Sequence, residues 1–324
     1  MAVYTHLGAE DLADLIAAYD VGELVSAKGI AEGVSNSNWL IETTGADGTG
    51  ARFILTMYEY RIDTAQLPFY LGLLDHLSAR DCPVPRTIHD RTGAAYRTIG
   101  DKAVALIEFL PGVSVDRPTP AQAEAVGAAL ARLHGAVGDF DKSLAQAMGL
   151  AEWRRLLEDC GKEGLAGIDP ALPDLAFSEL DYLDAHWPEG LPRDVVHCDL
   201  FPDNVLMLGD KVSGLIDFYF AAEDFLAYDL AVTHAAWSFE DRGKRFRTEV
   251  SDALLAGYAN GRSLSDAERA ALPVLARGAC MRFISSRAYD WVNTPADALV
   301  VRKDPMDFAA RLDFYREHGT ALFA

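Results

Sequence analysis

One segment constrains this chain more than any other. From Val195 to Phe218 it reads as a short apolar run, then His197-Cys198-Asp199-Leu200-Phe201-Pro202-Asp203-Asn204, then two more apolar runs that end on Asp217. The runs Leu206–Leu208 and Val212–Ile216 flank Gly209, Asp210 and Lys211, which predicts a hairpin. Closing that hairpin brings Asn204 and Asp217 to one end of it. A loop bearing polar groups of this kind needs a frame large enough to hold it rigid, and the 324 residues allow two domains or one two-lobed unit.

The texture on either side of residue 110 differs. Before it, Leu12, Leu15, Ile16 and Tyr19 follow a helical period. Strand-like runs follow at Glu23–Ser26, Asn38–Glu42 and Arg52–Tyr58, with the turn cluster Gly45–Gly50 joining the last two as a hairpin. A helix is expected near Ala65–Ser78 and a strand over Ala103–Phe109, stopped by Pro111 and Gly112. Beyond it the pattern is mostly helical. Thr119, Pro120 and Gln122 form an N-cap, a first-turn proline and a capping-box partner, and Ser265 with Glu268 repeats the device. The reading is an α+β chain in two lobes, 1–109 and 110–324, with a hinge at Glu108–Gly112 and a ligand cleft expected between the lobes.

Charge and cysteines narrow the function classes. Lys plus Arg is 29 against 49 for Asp plus Glu, a net charge of −20. That balance disfavours a surface that tracks nucleic acid phosphates or binds an anionic membrane. The partner expected is a small molecule, and oligomeric state stays open. Cys82, Cys160, Cys198 and Cys280 are far apart with no CxxC pair, so no zinc or redox motif is predicted, and the cytoplasm is the expected compartment. The opening residues show no signal-peptide pattern, and no 18-residue uncharged apolar run exists.

The chemistry that the central segment suits is phosphoryl transfer. Magnesium takes oxygen ligands, commonly one or two carboxylates plus phosphate oxygens. The acceptor hydroxyl needs a carboxylate to orient it and accept its proton. Asn204 and Asp217 are the candidate metal ligands, Asp199 the candidate base and His197 a brace for the loop. The order and spacing match the catalytic loop and metal-binding aspartate of kinases.

On these residues the chain resembles the aminoglycoside phosphotransferase and choline kinase superfamily, which has the protein-kinase-like fold. Within it the chain is similar to bacterial homoserine kinases. The likeness runs through Gly33–Trp39, Phe53–Glu59, His197–Asn204, Gly214–Phe220 and Arg282–Arg287. It implies ATP and Mg²⁺ as cofactors and the side-chain hydroxyl of L-homoserine as acceptor, on the route to threonine. A kinase for an amino alcohol, choline or an aminoglycoside, and a non-catalytic nucleotide-binding relative, are the competing readings.

Gly33, Ser35, Asn36 and Asn38 lie in a glycine and small-polar turn that lets backbone N–H groups approach phosphates. Glu108 and Leu110 fall in the connector expected to meet adenine. Kinases usually carry a lysine on the third strand, and here Thr56 takes that place. Lys28, Arg52 or Arg61 are candidate substitutes, with Glu59 or Asp75 as an acidic partner.

A zwitterionic acceptor needs a cation for its carboxylate, and the arginine fork suits one. Arg282 and Arg287 are the candidates. They are about 140° apart around a helix axis, so one of them is expected to face the cleft. Asp203 and Glu223 are candidate partners for the ammonium group, and Tyr289 and Trp291 could cage a quaternary amine instead. His134 reads as a structural residue near a helix end, Cys198 as filler, and Asp229 as a support for the catalytic loop by family likeness.

Overall fold

The computed structural model describes residues 7–30, 36–59, 63–294 and 302–324. The chain divides into two compact units, Met1–Gly112 and Val113–Ala324. The first holds α1 (Ala9–Ala17), β1 (Glu23–Ile30), β2 (Asn36–Thr44), β3 (Gly50–Tyr58), α2 (Leu67–Ser78), β4 (Thr87–Ile88), β5 (Arg97–Ile99) and β6 (Lys102–Glu108). Its antiparallel sheet runs β1-β2-β3-β6-β4, with β5 also pairing β6. Strand alternation sorts the side chains. Trp39, Ile41, Leu55, Met57, Val104 and Leu106 share one face and pack with Leu12, Leu15 and Ile16 of α1. At the β2–β3 turn, Asp47 accepts the Thr49 N–H at 2.9 Å and Gly48 adopts φ +79°, as the sequence predicts for a glycine-rich hairpin turn.

The second unit is mostly helical. It contains α3 (Pro120–Ala136), α4 (Leu150–Ile168), α5 (Leu172–His186), β7 (Arg193–Val196), β8 (Val205–Leu208), β9 (Lys211–Leu215) and β10 (Ala222–Phe225). Then come α6 (Leu226–Trp237), β11 (Phe239–Glu240), β12 (Arg245–Phe246), α7 (Thr248–Gly261), α8 (Asp266–Asn293) and α9 (Met306–Leu322). The α+β reading holds, with the six-stranded sheet in the first unit and most of the helices in the second. Both predicted capping boxes form. Thr119 Oγ1 accepts the Gln122 N–H and Ser265 Oγ accepts the Glu268 N–H, each at 3.2 Å.

Helices α3 and α7 meet backbone to backbone. A Cβ on Gly127 would lie 2.1 Å from the Leu254 carbonyl oxygen, and one on Gly257 would lie 2.0 Å from that of Glu124. Neither oxygen can swing away, because each belongs to a helix. Gly257→Ala is expected to lower stability by about 1–3 kcal/mol through overpacking. The measurement is the urea midpoint at unchanged slope; an unmoved midpoint would mean the helices stand further apart.

Candidate active site

The segment His197–Asn204 leaves β7, turns through a short 3₁₀ helix at Pro202–Asn204 and enters the β8–β9 hairpin. The Ile216 N–H donates to the Asn204 carbonyl at 3.0 Å, so the hairpin closes with Asn204 and Asp217 at the same end. Asn204 Nδ2 donates to the Asp199 carbonyl at 2.7 Å and to Asp199 Oδ2 at 3.1 Å. Its Oδ1 and the Asp217 carboxylate take no hydrogen bond among the described residues. Cys198 and Asp217 both sit in the left-handed region, at φ +58° and +66°. Such conformations cost on the order of 1–3 kcal/mol each and persist where the surroundings over-determine them.

The surroundings do so here. His197 Nδ1 accepts the Asp199 N–H at 3.2 Å, and its Nε2 donates to the Ile216 carbonyl at 3.0 Å. One imidazole thus ties the backbone of Asp199 to the residue before Asp217, and the two bonds set the neutral Nε2–H tautomer. Burial also holds this imidazole below its ordinary value. Asp229, fully buried on α6, supports the loop from beneath. Its Oδ2 accepts the His197 N–H at 2.7 Å and its Oδ1 the Cys198 N–H at 2.7 Å. His134 of α3 donates from Nε2 to Asp229 at 3.0 Å and meets the Tyr258 hydroxyl of α7 through Nδ1 at 2.8 Å. The network continues through Arg262 to Glu268 in the α8 capping box. Burial pushes the Asp229 carboxyl up, but the His134 bond and charge and the His197 N–H outweigh it and leave it below the usual range.

Asp199 stands differently. Burial and then the neighbouring Asp217 charge raise its carboxyl to about 7, against the opposing pull of Arg282 and Lys303. Burial, with Asp203 nearby, raises Asp217 to about 6. Asp217 is reached by solvent, yet protein crowds it closely enough to disfavour its charge. The Asp217 carboxylate and the free Asn204 amide oxygen, at one end of the hairpin, are hard oxygen donors, which suits a magnesium-type cation completed by phosphate oxygens. Among the described residues, no three or more His, Cys, Asp and Glu side chains form an all-protein metal cage. Cys198 is buried and its thiol is pushed well up, so it is a poor nucleophile.

In the first unit, Gly33, Ser35 and Arg61 lie outside the described residues. Asn36 is buried at the start of β2. Asn38 accepts the Thr56 hydroxyl at 2.8 Å. The register aligns Lys28 with Leu40 and Ile54, one row from Asn38 and Thr56 on the same sheet face. Arg52 lies over the Phe109 ring at 5.2 Å. Lys102 pairs with Glu59, which also accepts the Ser37 hydroxyl at 2.7 Å. Asp75 instead pairs with His89. Glu108 ends β6, its N–H on the Arg86 carbonyl at 3.0 Å, and Leu110 follows with no backbone hydrogen bond among the described residues.

On the acceptor side, both predicted arginines lie inside the protein. Arg282 is 2% exposed. The Arg287 side chain is 13% exposed and donates to the Asp304 carbonyl at 3.2 Å. A helical wheel expects one inward arginine, but α8 is covered by α4, α6 and α9, which enclose most of its circumference. Asp203 is exposed, 3.6 Å from Lys303. Glu223 is exposed on β10, whereas the next residue, Asp224, is buried, accepts Gln146 at 3.2 Å and acts on Arg282. Sequence reasoning missed Asp224 because it did not see β10, whose partner β7 lies far back along the chain.

The profile of the Phosphotransferase enzyme family matches residues 26–271. The homoserine kinase of Nitrobacter winogradskyi is 48% identical over 328 residues, covering 99% of this chain and 98% of that one. Among solved structures, an amicoumacin kinase in complex with AMP-PNP and Ca²⁺ aligns with a TM-score of 0.66 at 17% identity, over 97% of this chain and 94% of that one. A spectinomycin phosphotransferase in complex with ADP aligns with a TM-score of 0.68 at 12% identity, over 95% of each. The chain thus has the protein-kinase-like fold and belongs to the phosphotransferase enzyme family, within its homoserine kinase branch.

Proposed function

We propose that the protein transfers the γ-phosphoryl group of ATP to the side-chain hydroxyl of L-homoserine, giving O-phospho-L-homoserine and ADP. The observation that carries this is near full-length similarity to homoserine kinases in a chain whose Asp199, Asn204 and Asp217 share one loop and hairpin. Asp199 orients the hydroxyl and takes its proton. A carboxyl raised toward neutrality is a better proton acceptor than an ordinary one. As the hydroxyl oxygen bonds to the γ-phosphorus, the bond from that phosphorus to the β–γ bridging oxygen breaks and ADP leaves. His197 holds the Asp199 backbone in place. Asn204 and Asp217 hold Mg²⁺ through their uncommitted oxygens, and when bound it neutralises charge on the phosphates.

For the nucleotide we assign Gly33, Ser35, Asn36 and Asn38 to the phosphates and Glu108 and Leu110 to adenine. Lys28, on the sheet face of Thr56, stands in for the lysine usually found on the third strand. The acceptor side favours an anionic group over a polycation. Arg282 and Lys303 both act on Asp199, and the Asp199 charge acts on Arg287. An aminoglycoside would meet these charges as repulsion. Asp203 is the candidate for the ammonium group. Four buried free thiols suit a reducing compartment, and we place the enzyme in the cytoplasm. Among the described residues no helix is long and apolar enough to cross a membrane.

The test is ADP release coupled to a panel of acceptors: L-homoserine, choline, an aminopropanol and spectinomycin. Homoserine is expected to give turnover at least about tenfold above the others, a difference of about 1.4 kcal/mol in barrier. Stronger response to another acceptor would reassign the substrate. ATP binding with transfer to none would make the chain a non-catalytic relative.

A further inference from the structure

We propose that Arg287 of α8 and Arg311 of α9 together form the subsite that takes the carboxylate of the acceptor amino acid, stacked on the ring of Phe308. This rests on the homoserine reading above and assigns one residue, Arg311, that neither the sequence motifs nor the catalytic loop pointed to.

The geometry begins with Phe308. The Arg311 guanidinium carbon lies 4.1 Å from its ring centroid and that of Arg287 lies 4.6 Å from it. The ring itself packs on Phe283 at 4.7 Å and Phe201 at 6.0 Å. Phe201 belongs to the catalytic loop, two residues after Asp199, so the pair of cations is anchored to that loop by aromatic packing. Arg311 Nε and Nη1 are both sealed from solvent without a hydrogen-bond partner among the described residues. Arg287 gives Nη1 to the Asp304 carbonyl and has Asp307 at 3.7 Å.

Charge balance separates this pair from Arg282. Arg282 lies among Asp199, Asp224, Tyr228 and Cys198, and two carboxylates act on it, although its Nη1 is also buried without a hydrogen-bond partner among the described residues. Arg311 presses on Arg287, and Asp307 acts on both, whereas Asp199 and Asp203 act on Arg287 alone. Asp307 is thus the one carboxylate that acts on Arg311, whose Nε and Nη1 lie buried without an acceptor among the described residues. Buried guanidinium N–H groups without acceptors are costly, and a carboxylate supplies two acceptor oxygens in the matching fork geometry. Asp199 and Asp203 act on Arg287, which ties that end of the pair to the carboxylate proposed above to take the acceptor's proton. We therefore read Arg282 as the partner of the protein's own acids and the Arg287–Arg311 pair as the partner of the substrate's.

The experiment is steady-state kinetics of the full chain with Arg311→Met, which keeps the stem and removes the fork. KM for L-homoserine is expected to rise about 30- to 100-fold, a loss typical of charged hydrogen bonds, while kcat and KM for ATP stay within about threefold. Homoserinol, in which the carboxylate is a hydroxymethyl group, is expected to be used by the variant and by the parent with values of kcat/KM within about threefold. An unchanged KM for homoserine overturns the subsite. So does a fall in kcat accompanied by a rise in KM for ATP, since that is damage to the frame. If Arg311→Met does not melt cooperatively, Arg311→Lys replaces it. A rise in homoserine KM of about five- to tenfold then supports the subsite, and parental KM overturns it. A parent enzyme that ignores homoserine refutes the substrate reading, whereas an active parent with an indifferent variant refutes the subsite alone.

Discussion

Asp199→Asn is expected to reduce kcat by about 10³-fold or more while KM for ATP changes by less than about threefold, because general-base assistance accounts for about 10²–10⁴ of a typical rate. The substitution is isosteric. The amide oxygen still accepts from Asn204 Nδ2, now 3.1 Å from Asp199 Oδ2, and the Asp199 N–H bond to His197 is untouched. The fold should survive and grow more stable in protein freed of divalent cation by a chelator. Burial and the charge of Asp217 disfavour the Asp199 carboxylate, and a neutral side chain removes both penalties. The diagnostic result is therefore a melting temperature that is unchanged or higher beside activity that is nearly gone. Retention of a tenth of the parental turnover would take the proton-accepting role away from Asp199. A large drop in melting temperature would instead make it a structural residue.

Asp229→Ala should have the largest effect on stability. It removes the acceptor for three buried donors at once: the N–H groups of His197 and Cys198 and the Nε2–H of His134. Both members of the His134–Asp229 pair are fully buried, so solvent neither screens the pair nor replaces it. Breaking a buried pair of this kind costs about 3–5 kcal/mol, a large part of the stability of an ordinary domain. The effect also has a direction in pH. The native Asp229 pKa lies below its ordinary 3.8, so its contribution is complete above that value and is lost as pH falls through the lower native value. Chemical denaturation of the two proteins should show a constant gap above about pH 4 and a closing gap below it. A gap that stays constant down to the acid transition would mean that the carboxylate is not what holds the loop.

Much of this architecture was legible from residue spacing. The β8–β9 hairpin was readable because Gly209 and its neighbours interrupt two apolar runs, and helix starts at Thr119 and Ser265 because the capping boxes are local. Features whose cause lies far along the chain were not. Strand β10 is four residues long and pairs with β7, nearly thirty positions earlier, so nothing nearby marks it. His134 reads as an ordinary residue near a helix end; its partner Asp229 is 95 positions away. Gly127 and Gly257 look like weak helix formers by propensity, and only the approach of α3 to α7 explains them. Arg282 and Arg287 were placed by a wheel that allows a helix one buried side, whereas a helix wrapped by three others has little outside. Arg311 carried no motif at all, and its interest comes from the acceptors it lacks.

The Asp229 network gives the protein a division of labour. The His197–Asn204 loop is held by residues of α3, α6 and α7, while Arg287 and Arg311, proposed above to meet the acceptor, come from α8 and α9. On that proposal, substitutions on those last two helices are expected to retune which molecule is phosphorylated without loosening the clamp. A scaffold arranged in this way can change customers while keeping its workshop, and attempts to redirect it should begin at positions such as Arg287, Phe308 and Arg311 and leave His134, Asp229 and Tyr258 alone.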